Sequence, residues 1–207
     1  SLTTDNTTNK SNISSLQQTA SGLTSSVASV QTQVNSLNSG SSNILNGTGM
    51  DDGTTKFGQG IGGISYTISV NDDSASPTGK SVTLKRTDGG TTQGGAYWEV
   101  PAPLTVGKQY SWSIWAKGTG SLNMVGCEQG GQMPITLTDT YTKYTKTFTA
   151  TSSNHYQFTF YGNDSSLNAT FLPLVLVEGN ISPSWCRSAS DNATVTSVDT
   201  LSQTVDG

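Results

Sequence analysis

The sequence predicts a mainly β protein, with one antiparallel sandwich of the jelly-roll type over residues 43–187. A coiled-coil stalk over 1–40 precedes it and the start of a second, over 192–207, follows. Three observations lead there. Residues 13–37 carry an unbroken apolar heptad. From 43 to 187 apolar and polar residues alternate with period two, without a helical pattern. Turn formers, many of them from the 23 glycines, separate the alternating runs.

In "ISSLQQTASGLTSSVASVQTQVNSL" the apolar residues are Ile13, Leu16, Ala20, Leu23, Val27, Val30, Val34 and Leu37, with gaps of 3, 4, 3, 4, 3, 4, 3. So narrow a seam suits a helix packed on copies of itself. The alternative is a stripe docked on the chain's own β-domain. Ser and Thr at the flanking positions lower helix propensity, and a lone helix of this composition is marginal in water, so association must supply its stability. The seam residues leave dimer and trimer open. Val198, Leu201 and Val205 repeat the 3 and 4 spacing at the far end.

Between the stalks, "ISYTISV" places Ile64, Tyr66, Ile68 and Val70 on one face of a half-buried strand. "SVTLKR" turns Val82 and Leu84 inward, "YWEV" Trp98 and Val100, and "YSWSIWAKG" Tyr110, Trp112, Ile114 and Ala116. "YTKTFTA" centres on Phe148, "HYQFTFYG" turns Tyr156, Phe158 and Phe160 inward, and "ATFLPLVLVEG" closes the series as one strand. "NDDSASPTGK", "RTDGGTTQGG", "KGTGS", "EQGGQ" and "YGNDSS" are turns. Seven or more strands in one core-sized length favour a jelly roll over an immunoglobulin-type sandwich.

Composition narrows the function. With 12% charged residues, a net charge of -4 and ten unclustered Lys and Arg, the chain has no electrostatic footprint for nucleic acid or an anionic membrane. It also contains no apolar run of membrane-spanning length. His155 is the one histidine, which leaves little for a catalytic triad or a His-rich metal site, and no strand end carries the paired carboxylates of a glycosidase. The chain is expected not to be an enzyme. Cys127 and Cys186 have no framework spacing; free thiols are the default expectation, and a pairing between them stays open.

"NILNGTGM", "PAPLTVGKQYSWSIWAKG", "TDTYTKYTKTFTA", "HYQFTFYGND" and the closing "LPLVLVEGNISPSWCRSASD" resemble the carbohydrate-binding jelly-roll modules of bacteriophage tail proteins, in that family's order, over about 43–191. Such modules occur in tail fibres and in receptor-binding, tail-tip proteins of phages of Gram-positive bacteria. The resemblance implies adhesion to host cell-wall or capsular polysaccharide and a homotrimeric fibre in contact with other tail proteins. It also implies a virion location, with synthesis in the host cytoplasm and action outside the cell. A non-binding spacer or decoration domain is the alternative. Structural Ca²⁺, found in related modules, would fall to Asp51 and Asp52, whose carboxylates are hard-oxygen donors. No other cofactor is implied.

A pyranose is bound by stacking on an exposed aromatic ring, so the signature is an aromatic on the polar face of a strand. Trp115 is out of step in "YSWSIWAKG", beside Ser111, Ser113 and Lys117, and Tyr161 is out of step in "NHYQFTFYG", beside Gln157 and Thr159. If their strands share one sheet, Trp115, Lys117, Gln157 and Tyr161 form a platform that Tyr97 and Glu99 extend. The alternative is that both faces of that sheet are covered and Trp115 is core.

Overall fold

The computed structural model describes residues 2–36, 42–60, 64–152 and 157–191, without the side chains of 28–36 and 59–60. The chain divides into two compact units, Ser1–Asn38 and Ser39–Gly207.

The first unit is a single helix, α1 (Leu2–Ser36), 35 residues long, or about 52 Å at 1.5 Å per residue. Its sequence contains no proline. Hydroxyls of Thr7, Thr8, Thr19, Thr24, Ser25 and Ser26 donate to the carbonyl four residues back, so these polar groups are satisfied by the helix itself. Ile13, Leu16, Leu23 and Val27 are all exposed, as is Ala20, and together they draw the seam along one side. Counting back from Ile13, the same spacing continues through Asn9 and Asn6 to Leu2. The side chains of Val30 and Val34, and all of Leu37, Val198, Leu201 and Val205, lie outside the described residues, as do His155 and Tyr156. No described helix is long and apolar enough to cross a membrane.

The second unit is an antiparallel sandwich with eleven strands among the described residues. In chain order they are β1 (Phe57–Gly60), β2 (Tyr66–Asp72), β3 (Lys80–Arg86), β4 (Gly94–Glu99), β5 (Gln109–Thr119), β6 (Ser121–Cys127), β7 (Met133–Thr136), β8 (Thr142–Thr149), β9 (Gln157–Gly162), β10 (Asn168–Phe171) and β11 (Val175–Glu178). One sheet runs β1-β4-β9-β6-β7. In the other, β5 pairs along one edge with β8, and along its other edge with β11 and then β10; β10 leads on to β3 and β2. The expected single closing strand is therefore two short ones, interrupted at Leu172–Leu174. Pro173 there has no N–H to offer a ladder.

Of the expected inward residues, Tyr66, Val82, Leu84, Trp98, Val100, Tyr110, Trp112, Ile114, Ala116, Phe148, Phe158 and Phe160 are buried in the core, while Ile64, Ile68 and Val70 pack half-buried against it. Trp112 meets Phe158 edge-on at 5.3 Å and Phe171 meets Phe160 at 4.8 Å, joining the two sheets, while Phe57 packs on Trp98 at 4.9 Å and Phe160 at 5.0 Å. Trp112 is buried because its indole N–H also has a partner, the Gly131 carbonyl at 2.8 Å.

The beginning and end of the sandwich are clasped together. Buried Asn43 donates through Nδ2 to the Leu174 carbonyl at 2.9 Å and to Thr48 Oγ1 at 3.0 Å, and its Oδ1 accepts from the amides of Leu176 at 3.0 Å and Leu45 at 3.1 Å. A parallel bridge joins Asn43 to Ser188. The Gly47 amide donates to Asp191 at 2.7 Å, and the Trp185 indole to Thr48 Oγ1 at 2.9 Å. From Gly179 the chain crosses the outward face of β5, where Ser111 donates to the Gly179 carbonyl at 2.9 Å; Ser111 and Ser113 are buried as a result.

Asn43→Ala would strand two buried amides and a carbonyl, with an expected cost of about 3 kcal/mol in urea unfolding and a Tm lower by roughly 6–12 °C. A second stability test concerns Asp88. The buried Arg86 guanidinium, with Nε 2.6 Å from Asp88 Oδ1, holds the Asp88 carboxyl down at about 2. The contribution of Asp88 is therefore complete above the ordinary carboxylate value near ~3.9 and is lost as pH falls toward about 2. Asp88→Asn should flatten that part of the acid unfolding curve.

Candidate functional site

The six residues expected to form one platform lie on two sheets. Trp115 and Lys117 project outward from β5, whereas Tyr97 and Glu99 on β4 and Gln157 and Tyr161 on β9 face outward from the other sheet. The single platform is thus corrected to two separate clusters. Alternation tells which residues leave the core but carries no information on which sheet a strand joins.

On the β4–β9 face, register places Tyr97 opposite Thr159 and Glu99 opposite Gln157. Tyr161 donates its hydroxyl to Gln157 Oε1 at 3.0 Å, and Thr159, which accepts from Gln132 Nε2 at 2.7 Å, donates to the Gly126 carbonyl at 3.0 Å. Tyr161 is only 6% exposed. Burial, with Glu128 and Tyr97 adding to it, pushes its phenol up to about 12. A ring so covered offers no stacking face. Tyr97 lies against Gly58, where a Cβ would come within 2.5 Å of its ring; Glu99 is exposed.

Trp115 is different. It is 44% exposed, the first outward residue of β5 beyond the cover of the Gly179–Trp185 segment. It stands in an open cleft of about 470 Å³. Lys143 of β8 is its direct cross-strand partner, and Ser113 and Val175 lie next along the floor. Tyr141 and the Pro77 turn line the cleft, with Pro173 and the Pro183–Trp185 stretch.

Two aromatic side chains of the cleft are tethered. Tyr141 donates its hydroxyl to the Asp73 carboxylate, and Lys117 Nζ sits 4.3 Å from the centre of its ring. Burial, reinforced by Asp73, pushes the Tyr141 phenol well above its ordinary value. Burial alone would raise Asp73, but hydrogen bonds from Tyr141 and the Ala75 amide, with the charge of Lys117, leave its carboxyl below the usual value. Trp185 is anchored through its indole N–H to Thr48, with the Arg187 guanidinium 5.7 Å from its ring centre. Tyr141 and Trp185 were not singled out in the sequence reading of the site. Trp185 did carry a signal, as an aromatic in the proline-containing, strand-free "ISPSW".

Asp51 and Asp52 border a separate hollow with Lys56, Arg187 and Asp191. Asp51 is paired with Arg187, and Asp52 Oδ1 accepts from the amide and hydroxyl of Thr54 at 2.9 and 2.7 Å, which holds its carboxyl below the ordinary value. Lys56 and Arg187 bring two positive charges to the hollow, and Asp51 and Asp52 are engaged within the chain by Arg187 and Thr54. Among the described residues no three His, Cys, Asp or Glu converge as metal ligands. Cys127 and Cys186 are free thiols; burial pushes the Cys127 thiol well above its ordinary value.

No protein-family model and no curated protein matches the chain. Solved structures do resemble it at low identity. The enzymatically active domain of bacteriophage CBA120 tailspike protein 4 aligns with 66% of this chain and 21% of its own, at 14% identity and a TM-score of 0.49. The CBM22-1 xylan-binding domain of Paenibacillus barcinonensis Xyn10C aligns with 71% of this chain and 98% of its own, at 11% identity and 0.45. A family 16 carbohydrate-binding module aligns with 66% and 100%, at 19% and 0.41. The chain thus spans about a fifth of the tailspike domain's length.

The two tryptophans of β5 should separate in stability measurements. Trp112→Ala empties the core and is expected to cost about 3–5 kcal/mol in denaturant unfolding, whereas Trp115→Ala should cost about 1 kcal/mol.

Proposed function

We propose that this chain is a segment of a bacteriophage tail fibre whose sandwich grips host cell-wall or capsular polysaccharide through the Trp115 cleft. The observation that carries the reading is the half-exposed indole of Trp115 in an open cleft that Tyr141 and Trp185 help to line. The apolar C–H face of a pyranose stacks on such a ring, while Ser184 and Lys143 offer hydrogen bonds to its hydroxyls. Among the described residues no carboxylate lines the cleft. A glycosidase needs a pair of carboxylates, so the function proposed is binding without hydrolysis.

One open stacking site binds weakly, and several on one stalk bind well. The exposed seam of α1 supports association with sister copies, and we take the assembly as a parallel homotrimer carried on the virion tail, alongside other tail proteins. Asn6 and Asn9 on seam positions would fix its register. The alternative of a spacer is less favoured, because a spacer separates its two ends and here Asn43 and Ser188 are bridged neighbours.

Trp115→Ala should abolish binding of the purified chain to isolated host cell walls while its circular dichroism stays unchanged; undiminished binding would overturn the site. In sedimentation equilibrium at micromolar concentration the chain should run as a trimer. Leu16→Asp with Leu23→Asp should yield monomers that bind walls far more weakly. A monomeric parent chain would remove the stalk from the proposal.

A further inference from the structure

Resting on the saccharide reading above, we infer that the Trp115 cleft selects an anionic sugar, one bearing a carboxylate or a phosphate, and that Lys143 is its counter-charge. The chain as a whole is acidic, with 14 Asp and Glu against 10 Lys and Arg. The cleft departs from that balance. Among the described residues its lining contains one charged residue, Lys143, and no carboxylate.

Four basic side chains outside the lining are paired with carboxylates. Lys80 is paired with Asp72, Arg86 with Asp88, Lys108 with Glu178 and Arg187 with Asp51. No ion pair or hydrogen bond among the described residues holds the exposed Lys143 side chain. The carboxylate nearest the cleft wall, Asp73, is already met by the Tyr141 hydroxyl and by the charge of Lys117. The surplus charge around the cleft is therefore positive.

Position makes that charge usable. Lys143 and Trp115 are directly opposed across β8 and β5, so their Cβ atoms stand about 5 Å apart on one face. A pyranose laid on the indole presents its exocyclic substituent at the ring's edge, one strand spacing away, where the flexible four-carbon stem of lysine brings its ammonium. Lys117 lies two residues beyond Trp115 on the same face, over the Tyr141 ring, and adds to the positive field. An ammonium meeting an anionic oxygen makes a charge-assisted hydrogen bond, about twice as strong as a neutral one.

The test is a pair of matched comparisons by isothermal titration on the full chain. Tetragalacturonate is set against its methyl ester, and a phosphomannan oligosaccharide against its dephosphorylated form. The anionic member of one pair is expected to bind about two- to fivefold more tightly, which also tells carboxylate from phosphate. That preference should shrink at 0.5 M salt, where the Debye length falls to about 4 Å from about 10 Å at 0.1 M. Lys143→Gln should bring the ratio close to one, while Lys108→Gln, on a lysine outside the cleft, should leave it in place.

Equal binding of both members in both pairs overturns the inference and leaves the saccharide reading standing. No binding of any of the four probes overturns the inference too. Only a simultaneous failure to bind isolated walls would take the saccharide reading with it.

Discussion

The β-domain depends on one buried amide. The Asn43 side chain has two donors and two acceptor positions, and all four are used, on Leu174, Thr48, Leu45 and Leu176. Those contacts bind the opening loop to the connection between β10 and β11. Because the loop is fixed there, Thr48 is in place to receive the indole N–H of Trp185, and the closing segment is drawn across β5 on its way. The covering of Ser111 and Ser113 stops at Trp115 for the same reason. The cleft is thus a by-product of how the ends of the domain are secured.

Much of this was legible, because alternation is a local property. The inward sets read from β5 and β9 are buried as the spacing demands, Trp112 and Ile114 on one strand, Phe158 and Phe160 on the other. What was not legible is long-range. The same out-of-step pattern marked Trp115 and Tyr161, yet the first is open and the second is covered. A strand's own residues do not say what crosses over it. Nor do they say which sheet it joins, so residues of equal parity were grouped that the fold keeps apart. Tyr141 and Trp185 lie outside any strand, and only tertiary contacts bring them to the cleft. The motifs behind the family resemblance fared better as structure than as site. The opening "NILNGTGM" and the closing segment prove to be the two halves of one clasp.

The helix follows a different economy. Its serines and threonines turn their hydroxyls back on its own carbonyls, which satisfies them but adds little to helix stability. Its apolar side chains are left on the surface. The sandwich closes its core within one chain, and α1 leaves its seam unburied. Composition reflects this division: the apolar residues of α1 form one narrow exposed seam, whereas those of the sandwich fill a core.

The bridge between Asn43 and Ser188 is parallel, and this has a mechanical meaning. The chain arrives at Asn43 from one direction and departs beyond Ser188 in the opposite one. Tension applied through the two flanking segments would slide these strands along each other and would not peel them apart. The amide contacts of Asn43, the Gly47–Asp191 bond and the Trp185–Thr48 bond then carry the load together. A head fastened in shear withstands pulling far better than one fastened like a zip.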